Sequence, residues 1–158
     1  MQYAKDSFYI ALRDRLAEVN PQRTVTVNDV RRPAVLVGEN EGPLAGVDEA
    51  FVLSWGDAHP VGSGTALMTM ACTIAYASRG ADGTNGDRGR TLGTLDGELL
   101  AISQPPRAQK TNYTVIPPQS LGTAIFWTDL DFDEPKDEQD RIVRRARTKV
   151  YFYSEVGQ

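Results

Sequence analysis

TALMTMACTIAYAS, residues 65–78, is the stretch that decides how this chain is read. Met68, Met70, Cys72, Ile74 and Tyr76 fall on one side of a period of two, and Leu67, Thr69, Ala71, Thr73, Ala75 and Ala77 on the other. Such alternation predicts a β-strand, because successive side chains of an extended chain point to opposite faces. At the rise of a strand it would run about 40 Å, long for a small domain. One face is large and apolar, the other small, and the small face calls for a partner that comes close.

The segment RTLGTLDGELLAIS (90–103) reads as a helix able to supply that partner. Leu92, Leu95, Leu99 and Ile102 form one stripe, and Gly89, Gly93 and Gly97 recur every four residues beside it. Each interior glycine costs a helix up to about 1 kcal/mol relative to alanine, so a packing reason is expected. Close approach to the Ala/Thr face of the long strand is that reason here.

Working outward, the N-terminal FYIALRDRLAEV places Phe8, Leu12, Leu16 and Val19 at helical steps, with Asn20-Pro21 as the stop. TVTV (24–27) and RRPAVLVGE (31–39) read as strands, 38–49 as a polar loop and EAFVLSWGD (49–57) as a further strand. Residues 104–120, with two Pro-Pro pairs, read as a long irregular connection. LGTAIFWTDLDF (121–132) and RIVRRARTKVYFYSE (141–155) then form a C-terminal β-hairpin. The order predicts one α+β domain over 1–158: a mixed or antiparallel sheet, a packed N-terminal helix, a second central helix and a closing hairpin.

Composition narrows the function. The 158 residues are 41% hydrophobic and 24% charged, ordinary globular values. A net charge of -4 gives no general attraction to nucleic acid. One cysteine, Cys72, excludes an internal disulfide and a cysteine-rich zinc site, and fits a reducing compartment. No apolar run reaches membrane-spanning length and the charged N-terminus is unlike a signal peptide, so a soluble cytoplasmic protein is the expectation.

The expected hairpin tip, DLDFDEPKDEQDR (129–141), gathers seven acids. Asp129, Asp131, Asp133 and Asp140 fall at positions 1, 3, 5 and 12 of a calcium-loop frame, but Glu134-Pro135 stands where that loop needs its glycine. Carboxylate catalysis needs a burial-raised acid, which an exposed tip does not provide; Asp96 and Glu98 diverge on their helix. His59, with Asp57 and Ser63 nearby, offers a weak hydrolase alternative without a nucleophile motif. GADGTNGDRG (80–89) matches no phosphate-loop pattern. No cofactor or metal is expected. On the last strand Arg145, Arg147 and Lys149 share a face with Val143, Tyr151 and Tyr153, opposite Ile142, Ala146, Val150 and Phe152, a face that Arg144 interrupts. Pairing with Asp129 and Asp131 across the hairpin, or a subunit contact, is the expected use.

This succession of elements resembles the phage tail terminator (tail completion) family. It rests on FYIALRDRLAEV, RRPAVLVGE, EAFVLSWGD, TALMTMACTIAYAS, RTLGTLDGELLAI and the hairpin AIFWTDLDF with RRARTKVYFYSE. The resemblance implies a non-enzymatic virion protein, assembled in the host cytoplasm, that caps the head-proximal end of the tail tube as a homohexameric ring. Its implied partners are other copies of itself, the tail tube protein and a neck or head-completion protein. Genome DNA would pass through the lumen without specific binding, and no membrane is involved. A head-completion or neck adaptor role is the nearest alternative. In a ring, Asp133, Glu134, Asp137, Glu138 and Asp140 of one subunit would meet basic residues of the next, with Arg31, Arg32, Arg88, Arg90, Arg145 and Arg147 as candidates.

Overall fold

A computed structural model describes residues 1–39, 47–81, 83–84 and 86–155. The stretch 65–78 is indeed a long strand, β6 (Leu67–Ser78), and its antiparallel partner is β11 (Arg141–Tyr153). Around this pair the main sheet runs β3 (Val35–Val37), β4 (Phe51–Trp55), β6, β11, β8 (Gln119–Trp127), β7 (Arg107–Asn112). Among the described strands only β3 and β4 pair in parallel, so the sheet is mixed but mostly antiparallel. Short strands β5 (His59–Pro60), β9 (Asp131–Phe132) and β10 (Lys136–Glu138) add to β6 and β11. β1 (Thr24–Val27) and β2 (Val30–Pro33) form a separate hairpin, turned by Asn28 and Asp29 at φ 50° and 63°. That is an α+β fold.

Both helices pack on the same face of the sheet. Helix α1 (Gln2–Val19) buries Ala4, Phe8, Leu12 and Leu16, one per turn, as an amphipathic stripe requires. Helix α2 (Arg88–Ile102) buries Leu92, Leu95, Leu99 and Ile102. These meet Met70, Cys72, Ile74 and Tyr76 from β6 and Ala146, Val150 and Phe152 from β11 in one core cluster. Phe8 stands edge-on to Trp55 at 5.5 Å and to Trp127 at 5.0 Å, joining the two ends of the sheet.

Three expectations are corrected. Helix α2 lies on the large-residue face of β6, so its glycines do not meet the Ala/Thr face: a Cβ at Gly89, Gly93 or Gly97 would meet nothing within 4 Å. The leucine stripe outweighed the glycine stripe, because burying four large side chains gains more than closer backbone approach. Within 104–120, the irregular connection contains β7, which hairpins with β8 through a register shift between Gln109 and Thr111. RRPAVLVGE is two strands: Pro33 ends β2, and β3 restarts beside β4. The loop expected over 38–49 falls largely outside the described residues.

Two predictions follow from this packing. Gly93→Ala and Gly97→Ala should each raise stability by up to about 1 kcal/mol in urea denaturation, since helix propensity improves and no atom is displaced. Burial pushes the Cys72 thiol far above its ordinary range. Folding therefore holds the thiol protonated while the unfolded chain ionises near 9.0, and stability falls as pH rises past that value. This one group contributes a slope of at most about 1.4 kcal/mol per pH unit, which Cys72→Ala should remove from the alkaline stability profile.

Candidate assembly surface

Among the described residues, one face of the sheet carries helices and the other does not. The ladder places Arg145, Arg147, Lys149, Tyr151 and Tyr153 on the open face, beside Ala75, Thr73, Ala71, Thr69 and Leu67 of β6. Phe126 of β8 lies opposite Tyr151, and the two rings stack at 5.5 Å with planes 7° apart. Phe126 is 38% and Tyr153 46% exposed, which is large for aromatic residues inside a sheet. The alternation read in the sequence for β11 holds, including the interruption: Arg144 faces the helices and pairs with Asp96 at 3.5 Å.

The acidic stretch is not simply a hairpin tip. Opposite β11 stand β8, β9 and β10 in turn, with three residues on that side facing two on β11 between Trp127 and Asp131. The extra residue makes a bulge, where Thr128 N–H donates to the Lys149 carbonyl at 3.1 Å and Lys149 N–H to the Thr128 hydroxyl at 2.9 Å. A second excess residue lies between Phe132 and Lys136, around Pro135. The turn itself is Gln139-Asp140, with φ of 48° and 65°. Asp131, Asp137 and Glu138 are therefore strand residues, on strands that pair only with β11. Acids along such an edge discourage another strand from adding to it.

Several of the acids already have partners in the chain. Asp133 pairs with Arg147, Asp137 with Arg88, and Glu138 with Arg145 at 3.8 Å. Asp131 sits opposite Arg147 in register, but the ion pair is made from the diagonal by Asp133. Arg88 is thus held within its own chain. Among the described residues Asp129, Asp131, Glu134 and Asp140 make no ion pair, nor do Arg31, Arg90 and Lys149. The Arg31 Nε donates to the Thr24 hydroxyl at 2.9 Å. Arg31 and Arg32 lie on the β1–β2 hairpin, lining a 430 Å³ depression with Arg23. Arg23 is engaged by Glu98 through Nε at 2.8 Å and Nη2 at 3.1 Å.

The sequence reading missed the aromatic stack, since Phe126 and Tyr151 are 25 residues apart and only the register joins them. It also missed Lys110, fully buried, whose ammonium donates to the Tyr153 carbonyl and the Glu155 carboxylate. The period of β7, with Ala108 and Lys110 on one face, was the available signal. Asp57, His59 and Ser63 are all exposed, and no hydrogen bond joins any two of them. The described residues hold no group of three His, Cys, Asp or Glu fit for a metal ion. No family model matches the chain, and no curated protein matches it.

The in-chain pairs are partly exposed, so each should contribute little to folding. Asp133→Asn, Asp137→Asn and Glu138→Gln should each cost under about 1 kcal/mol by denaturation, an effect that shrinks further in high salt.

Proposed function

We propose that this chain is a tail-terminator-like structural protein that caps the head-proximal end of a phage tail tube as a ring and joins it to the neck. The observation that carries the reading is the division of the molecule into two unlike outer surfaces. One is a helix layer; the other is an open sheet face with stacked aromatics and segregated charge. Two unlike surfaces on opposite sides of one chain suit a heterologous contact, which closes into a ring when the rotation allows. The order of helices and strands, resembling that family, supports the same reading.

Within such a ring, the acids without an ion pair among the described residues, Asp129, Asp131, Glu134 and Asp140, would meet Arg31, Arg90 or Lys149 of the neighbour. Light scattering across protein and salt concentration tests this. A hexamer, or a monomer that becomes one as concentration rises, is the expected result. Asp129→Asn, Asp131→Asn, Glu134→Gln and Asp140→Asn combined should abolish the hexamer while leaving the monomer folded. A chain that stays monomeric at every concentration and also on purified tail tubes sinks the proposal.

A further inference from the structure

A cavity of about 180 Å³ lies between the N-terminal half of α1, the ends of β3 and β4, and the residue that follows β7. Three aromatic side chains line it: Tyr9 from α1, Trp55 from the end of β4 and Tyr113. The Trp55 indole nitrogen is buried without an acceptor, so that ring offers the cavity a face rather than its N–H. Three charged groups share the lining, Lys5 and Asp6 from α1 and Glu39 just after β3.

Neither acid has a cation of its own. The Asp6 carboxylate accepts the Gln2 amide at 2.8 Å, and among the described residues neither Asp6 nor Glu39 makes an ion pair. The Lys5 ammonium pairs with neither of them; it stands over the Trp55 ring, 6.0 Å from the centroid. Arg13 lies over the Tyr9 ring at 5.8 Å, but it pairs with Asp14 and is not part of the lining.

Two negative charges against one positive leave this wall one cation short. A guest anion would add to the repulsion, whereas a single guest cation brings the lining to neutrality. Aromatic rings favour the same guest, because the face of a π system is its negative part. Lys5 over Trp55 is an ammonium already placed in this way. Carboxylates accept the strong, charge-assisted hydrogen bonds of an ammonium, and ring faces cover its carbon stem. The volume, about six waters' worth, admits a chain of a few carbons and one charged head.

We propose that this cavity binds one primary alkylammonium group, its charge held by Asp6 and Glu39 and its stem against Tyr9, Trp55 and Tyr113. A free amine carries that group, and so does a lysine side chain of a second copy. The site does not rest on ring assembly.

Titration of ¹⁵N-labelled protein with n-butylammonium chloride at constant ionic strength tests it, read at the two indole N–H signals, which Trp127→Phe assigns. The Trp55 signal should move to saturation. Trp127, whose N–H donates to the Ser103 carbonyl at 2.9 Å, should stay in place as the internal control. n-Butanol, of similar shape but neutral, should bind at least about tenfold more weakly. Asp6→Asn combined with Glu39→Gln should erase that preference, and Lys5→Met, which removes the competing like charge, should tighten amine binding. A Trp55 signal that does not move or does not saturate overturns the proposal. So does equal binding of n-butanol, a preference that survives the double substitution, or amine binding weakened by Lys5→Met. Without added amine, a Trp55 signal that shifts on dilution, and no longer does so in the double variant, assigns the ammonium to a second copy. A concentration-independent signal that n-butylammonium moves assigns it to a free amine.

Discussion

Ala146 lies opposite Ile74 and Val150 opposite Met70, within an unbroken antiparallel ladder that pairs Leu67–Ser78 with Ile142–Tyr153. Everything else in the fold depends on that register. Because side chains alternate, the ladder sends Met70, Cys72, Ile74, Tyr76, Ala146, Val150 and Phe152 to one side, and their combined face is what the two helices bury. Slipping β11 by one residue would turn Arg145, Arg147 and Lys149 into the core and expel Val150 and Phe152. Three desolvated cations cost far more than the ladder hydrogen bonds gain, so the register has no close competitor.

With the register set, the helix side is fastened at its margins by charge rather than by further apolar burial. Arg15 reaches from α1 to the carbonyls of Ile102, Pro105 and Arg107, at 3.0, 2.8 and 2.8 Å, and covers Trp127 at 5.4 Å. It thereby serves the end of α2 and the edge of β7 at once. Ser7 does the same farther along, accepting the Thr111 N–H at 2.9 Å. Glu98 receives Arg23 in a fork and the Asn20 amide at 2.6 Å, tying the end of α1 to α2. Lys110 holds the last turn of chain after β11. Of these contacts Arg23–Glu98 and Lys110–Glu155 are largely buried ion pairs, and removing one partner of such a pair costs about 3–5 kcal/mol, because the other is left charged without water. The helix layer is therefore held in one position on the sheet.

The parts of this arrangement legible in the sequence were those with a short period. The alternation of 65–78 and 141–155, and the helical spacing of Phe8, Leu12 and Leu16, were read correctly because burial acts on neighbours in the chain. The glycine stripe of α2 misled, since period alone does not say which of two stripes faces inward; Leu92, Leu95, Leu99 and Ile102 had the larger area to bury. β7 was obscured by the prolines on either side of it, although Arg107–Asn112 itself contains none. The stack of Phe126 on Tyr151, the Asp137–Arg88 pair and the orphaned Trp55 indole depend on contacts between distant segments, and no local pattern encodes them.

The acids of 129–140 illustrate how such long-range contacts change a functional reading. As a sequence they form a dense anionic run; in the fold, Asp133, Asp137 and Glu138 are neutralised by arginines of β11 and α2. Those three pairs straddle the sheet: Asp137 reaches Arg88 on the helix side, while Asp133 and Glu138 meet Arg147 and Arg145 on the open face. The backbone ladders hold β9 and β10 against β11 on either side of two bulges, and the ion pairs lie over both faces of that ladder. The field that remains outside comes from fewer charges than the sequence contains, and from different ones. Any partner that recognises this edge electrostatically must read Asp129, Asp131, Glu134 and Asp140, with Lys136 among them, rather than the run as a whole.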